Sequence, residues 1–179
     1  MKLTAACVVT LIFSASVVRA QTPAAQKVGL VQYVKASYAG IKRDLVAAAE
    51  RMPEADYGYK PSEMNDVRTY AAVIAHAADG MFGTCARVKG VPNPQPDVEK
   101  KLTRKPDIVK ALAESFAFCD EAFSSLTDRS AEEYVRQGPV EIPKIAALMG
   151  ALAHNAEMYG ISSVYLRAKN LVPPGSDRR

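Results

Sequence analysis

Lys144–Asn170, KIAALMGALAHNAEMYGISSVYLRAKN, is the stretch on which the fold turns. Wound at roughly 100° per residue, Ile145, Leu148, Met149, Leu152, Ala156 and Tyr159 form one stripe. Ala147, Ala151, His154, Met158, Ile161 and Tyr165 form a second, nearly opposite. A helix that is apolar on two faces needs neighbours on both, which places it centrally in a helical assembly. Pro143 suits the opening of this run, Asn170 suits its cap, and Pro173-Pro174 forbid continuation.

Three more runs of similar length precede it. From about Ala25 to Met52, Leu30, Val34, Ser37, Ile41, Leu45 and Ala48 recur at spacings of three and four, and Pro53 ends the pattern. From about Val67 to Val88, after an N-cap candidate at Asp66, the stripe is Tyr70, Val73, Ile74, Ala77, Met81, Cys85 and Val88, and Gly90 closes it. From Pro106 to about Leu126 the stripe is Ile108, Leu112, Ser115, Phe116, Cys119 and Phe123, with Asp107 well placed for the first turn. The segment GVPNPQPDVEKKLTRKP reads as a solvated loop whose four prolines forbid a regular helix. TDRSAEEYVRQGPVEI reads as a connector with one short helix at Ala131 to Arg136. No run shows strand alternation. The expected fold is all-α, a four-helix bundle.

Residues 1–20 read differently. Lys2, the apolar run ACVVTLIFSASVV and then Val18-Arg19-Ala20 have the order of a secretory signal peptide cut before Gln21. The apolar run is short for a bilayer span. Residues 21–179 then form one domain, large enough to bury its own core. Removing Lys2 and Arg19 lowers the net charge from +4 to +2, and no basic block interleaved with aromatics remains. Nucleic acid is therefore not an expected partner, nor is a membrane after cleavage. The expected location is exported, periplasmic or extracellular. Cys85 and Cys119 survive cleavage on separate helical runs. They read either as a disulfide, if their helices are neighbours, or as two small buried hydrophobes.

The chain holds two histidines, His76 and His154, one on each of two helical runs. Imidazole nitrogens suit zinc, nickel, iron and copper, and a bundle can present them rigidly. His154 and Met158 lie one turn apart on the same face. Met158 offers a thioether, which suits copper(I) far better than zinc. Asp79, three residues after His76, can reach the same edge with a carboxylate. Glu157 reaches it only from the side. Two histidines without an HxxxH pair read more readily as partly buried, hydrogen-bonded side chains than as a metal site. No GxSxG elbow is present for nucleophilic chemistry. Tyr57, Tyr59 and Ser62 precede the second run in what reads as ordinary turn chemistry.

Three segments resemble the DinB-like superfamily of four-helix bundles. They are RMPEADYGYKPSEMNDVRTYAAVIAHAADGMFGTCARVKG, ALAESFAFCDEAF and LAHNAEMYGISSVYLRAKNLVPPGS. With their connections the resemblance spans about residues 26 to 176, and it is nearest to the exported members with paired cysteines. Members of the superfamily often carry a metal triad of three histidines, one on the second helix and two spaced HxxxH on the fourth. His76 and His154 match the first two positions. Met158 stands at the third, so the resemblance implies a degenerate site. It also implies a plausible homodimer.

Two functions follow as expectations. The first is a binding or structural module, a degenerate member whose pocket holds a small-molecule ligand or nothing. The second is a metal-dependent hydrolase or thiol-dependent transferase using His76, His154 and a carboxylate, with zinc, nickel or iron as the metal. Copper would require Met158 as a ligand.

Overall fold

The computed structural model describes residues 25–177; the signal-peptide segment lies outside them. Four long helices dominate: α1 (Leu30–Arg51), α2 (Tyr70–Lys89), α4 (Lys105–Ser124) and α6 (Lys144–Ala168), joined through short helices α3 (Val98–Lys101) and α5 (Asp128–Ala131). α2 packs on α4 and α6, and α1 packs on the same two, so the four close a ring in the order α1–α4–α2–α6. No described helix is long and apolar enough to cross a membrane.

The helix ends show how local chemistry and packing share the work. α2 starts at Tyr70 because the Thr69 side chain accepts from the Ala72 N–H; Asp66, the expected cap, lies upstream and exposed. Gly90, at φ 68°, closes α2 in the left-handed conformation that a β-carbon disfavours. α1 begins at Leu30, not Ala25. Gly29 is a poor helix former, and Val31 is the first side chain that packs. The last carbonyls of α1 have no intrahelical partner. The Tyr70 hydroxyl donates to Ala48 O (2.6 Å) and the Tyr57 hydroxyl to Ala49 O (2.6 Å). Lys105 donates to Glu50 O and Met52 O (2.7 Å each). The tyrosine loop is thus a helix cap for α1, a role its turn-like sequence does not announce.

Two further expectations are corrected. The connector after α5 is a β-hairpin, β1 (Tyr134–Gln137) paired antiparallel with β2 (Val140–Pro143), where a helix was expected to Arg136. Its two-residue turn is Gly138, at φ 59°, followed by Pro139 with its fixed φ. Only Val135 of β1 is buried, so there was almost no alternation to read. The proline-rich segment after α2, expected to be loop throughout, contains α3. The fold is therefore predominantly helical with one small sheet.

Cys85 of α2 and Cys119 of α4 form a disulfide, with Cα atoms 5.4 Å apart. Both are fully buried in the core, so the bond staples adjacent helices from inside.

Candidate functional site

The site lies between α2 and α6. The His76 and His154 rings sit 4.9 Å apart between centroids, inclined at 59°. Gly80, one turn after His76, makes this approach possible. A β-carbon there would lie 2.9 Å from both Cε1 and Nδ1 of His154. The imidazole from α6 rests on bare α2 backbone, and only glycine leaves that space.

His76 is oriented by a residue from the supposed loop. Glu99 of α3 has Oε2 2.7 Å from His76 Nδ1, while its Oε1 accepts from Arg68 Nε at 2.8 Å. Burial raises the Glu99 pKa, but the Arg68 guanidinium and the His76 ring outweigh it and hold the carboxyl below its ordinary value. Beside an ionised carboxylate, Nδ1 of His76 must be the donor, which leaves Nε2 as the acceptor in the neutral ring. Arg68 is itself tied down, since its backbone carbonyl accepts from the Tyr165 hydroxyl of α6 at 2.7 Å.

Asp79 does not face the imidazoles as a spare carboxylate. Its Oδ1 accepts from Val98 N (2.8 Å) and its Oδ2 from Glu99 N (2.9 Å). These are amides at the start of α3, which have no intrahelical acceptor. Asp97, the residue at the cap position, sits at φ 63° and makes no side-chain cap. Asp79 supplies that cap from α2. Position is therefore handed from Asp79 to α3, from α3 to Glu99, and from Glu99 to His76. Glu99 was missed from sequence; an acidic residue in a first turn was its one local signal, and prolines on both sides concealed the turn.

His154 is held neutral. Burial pushes its pKa below the ordinary value, and the neighbouring His76 pushes the same way. Its Nδ1 is buried without a hydrogen-bond partner. Met158, one turn on, is 4 % exposed and belongs to the hydrophobic core. Glu157 is exposed.

These donors can be weighed against the metal that the triad pattern implies. Two imidazoles are close, and the Glu99 carboxylate orients one of them as outer partners of metal-ligating histidines do. A catalytic zinc takes three protein ligands. Asp79 is engaged with two amides, both oxygens of Glu99 are engaged, and Met158 brings a soft sulfur packed in apolar surroundings. Among the described residues no group of three His, Cys, Asp or Glu gathers as a metal-ion site. The side chains present do not fit a three-ligand zinc centre.

Beyond His154 the α2–α6 groove opens into a cavity of about 340 Å³. Gly80, Thr84 and Arg87 of α2, Ala147 and Ala151 of α6, and Gln137 and Ile142 of the hairpin contribute to its walls. None of the hairpin or Arg87 contributions was anticipated, because they exist only once the hairpin folds over the groove.

No curated protein matches the chain. Among solved structures, a DinB-like protein from Bacillus cereus ATCC 10987 superposes with a TM-score of 0.68 at 14% identity, over 79% of this chain and 93% of that one. A DinB-like protein from Bacillus subtilis gives 0.60 at 16% identity, over 77% and 92%. A conserved protein from Enterococcus faecalis gives 0.61 at 12% identity, over 79% and 96%. At such identities these likenesses speak for the fold alone. The sequence pattern of the DinB superfamily matches residues 39–158, two thirds of the chain, and this protein belongs to that superfamily.

Proposed function

We propose that this protein is an exported small-molecule binding module in which a hydrogen-bonded His76–Glu99–Arg68 network occupies the place of a metal triad. One observation carries the reading: the two carboxylates packed beside the histidine pair already have other partners, Asp79 on α3 and Glu99 between His76 and Arg68, while Glu157 stands exposed at the edge. The neutral His154 and the adjoining cavity suit the binding of an organic ligand. The buried Cys85–Cys119 bond supports an oxidising compartment.

The test uses protein purified without a histidine tag. Metal content by mass spectrometry should be far below one ion per chain after incubation with zinc, nickel, iron or copper in turn. Met158→His should then gain tight zinc binding by calorimetry, because it restores a third borderline ligand one turn from His154. Stoichiometric zinc in the natural protein, lost in His76→Ala, would overturn the reading. Processing is checked separately by sequencing the amino terminus of exported protein, expected at Gln21.

A second reading, a metal-dependent hydrolase or thiol-dependent transferase, draws on one feature. Glu99 fixes His76 in the tautomer that leaves Nε2 free to ligate. That enzyme would bind a metal and lose both metal and activity in Glu99→Gln, whereas a binding module would show neither in the natural protein or the variant.

A further inference from the structure

We infer that the α2–α6 cavity binds a monocarboxylate with a compact apolar body, its carboxylate held by Arg87. The inference deepens the binding-module reading and rests on it.

Arg87 is a half-buried cation without an acidic partner among the described residues. Its Nε is buried and has no hydrogen-bond partner. Its one polar contact is Nη2 to the Thr84 hydroxyl at 3.2 Å, and no acidic side chain pairs with it among the described residues. A charge drawn even partly out of water normally finds a counter-charge. Here the guanidinium lines a cavity instead. Thr84 restrains the planar fork that pairs best with a carboxylate.

The surroundings select the anion. Ala146 and Ala147 bring the first turns of α6 to the cavity wall, and that helix has neither a side-chain cap nor an acid in its first turn. Its positive end favours an anion. Arg87 also sits in the last turn of α2, whose negative end opposes one. A single guanidinium between these fields suits one negative charge better than the two of a phosphate monoester. Apart from Gln137 and His154, the rest of the lining is apolar and mostly small: Ile142, Ala147, Gly150 and Ala151.

The geometry sets the ligand's length. Arg87 is seven residues from Gly80, and Ala147 is seven from His154, so each helix spans about 10 Å between those positions. A carboxylate at Arg87 would therefore direct a body about the length of a phenylpropyl chain toward the neutral imidazole of His154.

The full chain, processed as the cell leaves it, would be titrated with 3-phenylpropanoate, 3-phenylpropanamide and inorganic phosphate. Backbone amide shifts would be followed by NMR. The expected result is that the carboxylate binds at least tenfold tighter than the amide, with shifts centred on Gln137, Ala147 and Gly150. Phosphate should not displace it. Arg87→Gln should erase the preference, and Arg87→Lys should restore only part of it. Gly150→Leu, at a lining position where an added β-carbon meets nothing within 4 Å, should block both organic probes in a protein that keeps its fold. Equal binding of acid and amide in the cavity would overturn the carboxylate assignment while leaving a binding module standing. Phosphate competition at equal strength would overturn it too, as would an acid preference that survives in Arg87→Gln. Absence of any shift in the cavity, with stoichiometric zinc bound at the histidines, would remove both readings together.

Discussion

Replacing Gly80 with alanine should destabilise the protein, although a glycine-to-alanine change inside a helix ordinarily stabilises it. The ordinary gain is about 1 kcal/mol. Here the new β-carbon would lie 2.9 Å from two ring atoms of His154, where normal contact is about 3.5–4.0 Å. The ring cannot retreat freely, because His76 flanks it at 4.9 Å. Overpacking of this kind costs about 1–3 kcal/mol, so the net effect is a loss of about 1 kcal/mol, or a fall in Tm of about 2–4 °C for a chain of this size. Gly83 provides the control. It lies on the same helix with nothing within 4 Å of its would-be β-carbon, so Gly83→Ala should raise stability by about 1 kcal/mol. Urea unfolding followed by circular dichroism at 222 nm measures both. In a His154→Ala background the clash disappears, and Gly80→Ala should become stabilising, a coupling of about 2 kcal/mol. The reasoning is refuted if Gly80→Ala stabilises the natural protein as Gly83→Ala does, or if the coupling is below about 0.5 kcal/mol, the scatter expected for independent sites.

Three other consequences are measurable. Asp79→Ala removes the acceptor of two α3 amides and should cost about 1–2 kcal/mol; hydrogen exchange at Val98 and Glu99 should quicken, and the His76 ring resonances should shift as Glu99 loosens. Because the folded His154 pKa lies below its ordinary 6.5, the unfolded chain binds more protons, so stability should fall as pH drops through about 6.5 toward the folded value and this group should contribute no slope above it. Glu99 is depressed below its ordinary 4.5, so its contribution is lost only as pH falls below that value and through its folded one; urea midpoints from about pH 8 to about pH 2 in His154→Gln should lack the first decline and keep the second. Opening the disulfide by Cys85→Ala with Cys119→Ala frees a loop with a sequence separation of 34, and the chain-entropy model puts the loss at roughly 3–4 kcal/mol, read as a lower urea midpoint.

Hydrophobic spacing and helix punctuation were enough to recognise the bundle. Leu45, Ile74, Phe116 and Leu148 recur on their stripes and are all fully buried. Gly90 and Asn170, both at positive φ, stop the helices they were expected to stop. These features are local: a 3.6-residue period and a left-handed residue act within one turn of the chain. The pairing of Cys85 with Cys119, by contrast, stayed open until α2 and α4 were seen side by side.

The site belongs to the other category. Sequence alone singled out His76 and His154 because they are the chain's two histidines, and it noted a thioether where an imidazole might stand. It did not reveal that Asp79 would turn away to cap α3, that Glu99 would turn in to grip His76, or that Arg87 would be left beside an open cavity under a hairpin. A carboxylate reads the same in sequence whether it meets an imidazole, an amide or water. Its role is decided by which atoms arrive within 3 Å, and here those atoms come from elements about 20 residues apart, brought together only by the packing of α2, α3 and α6.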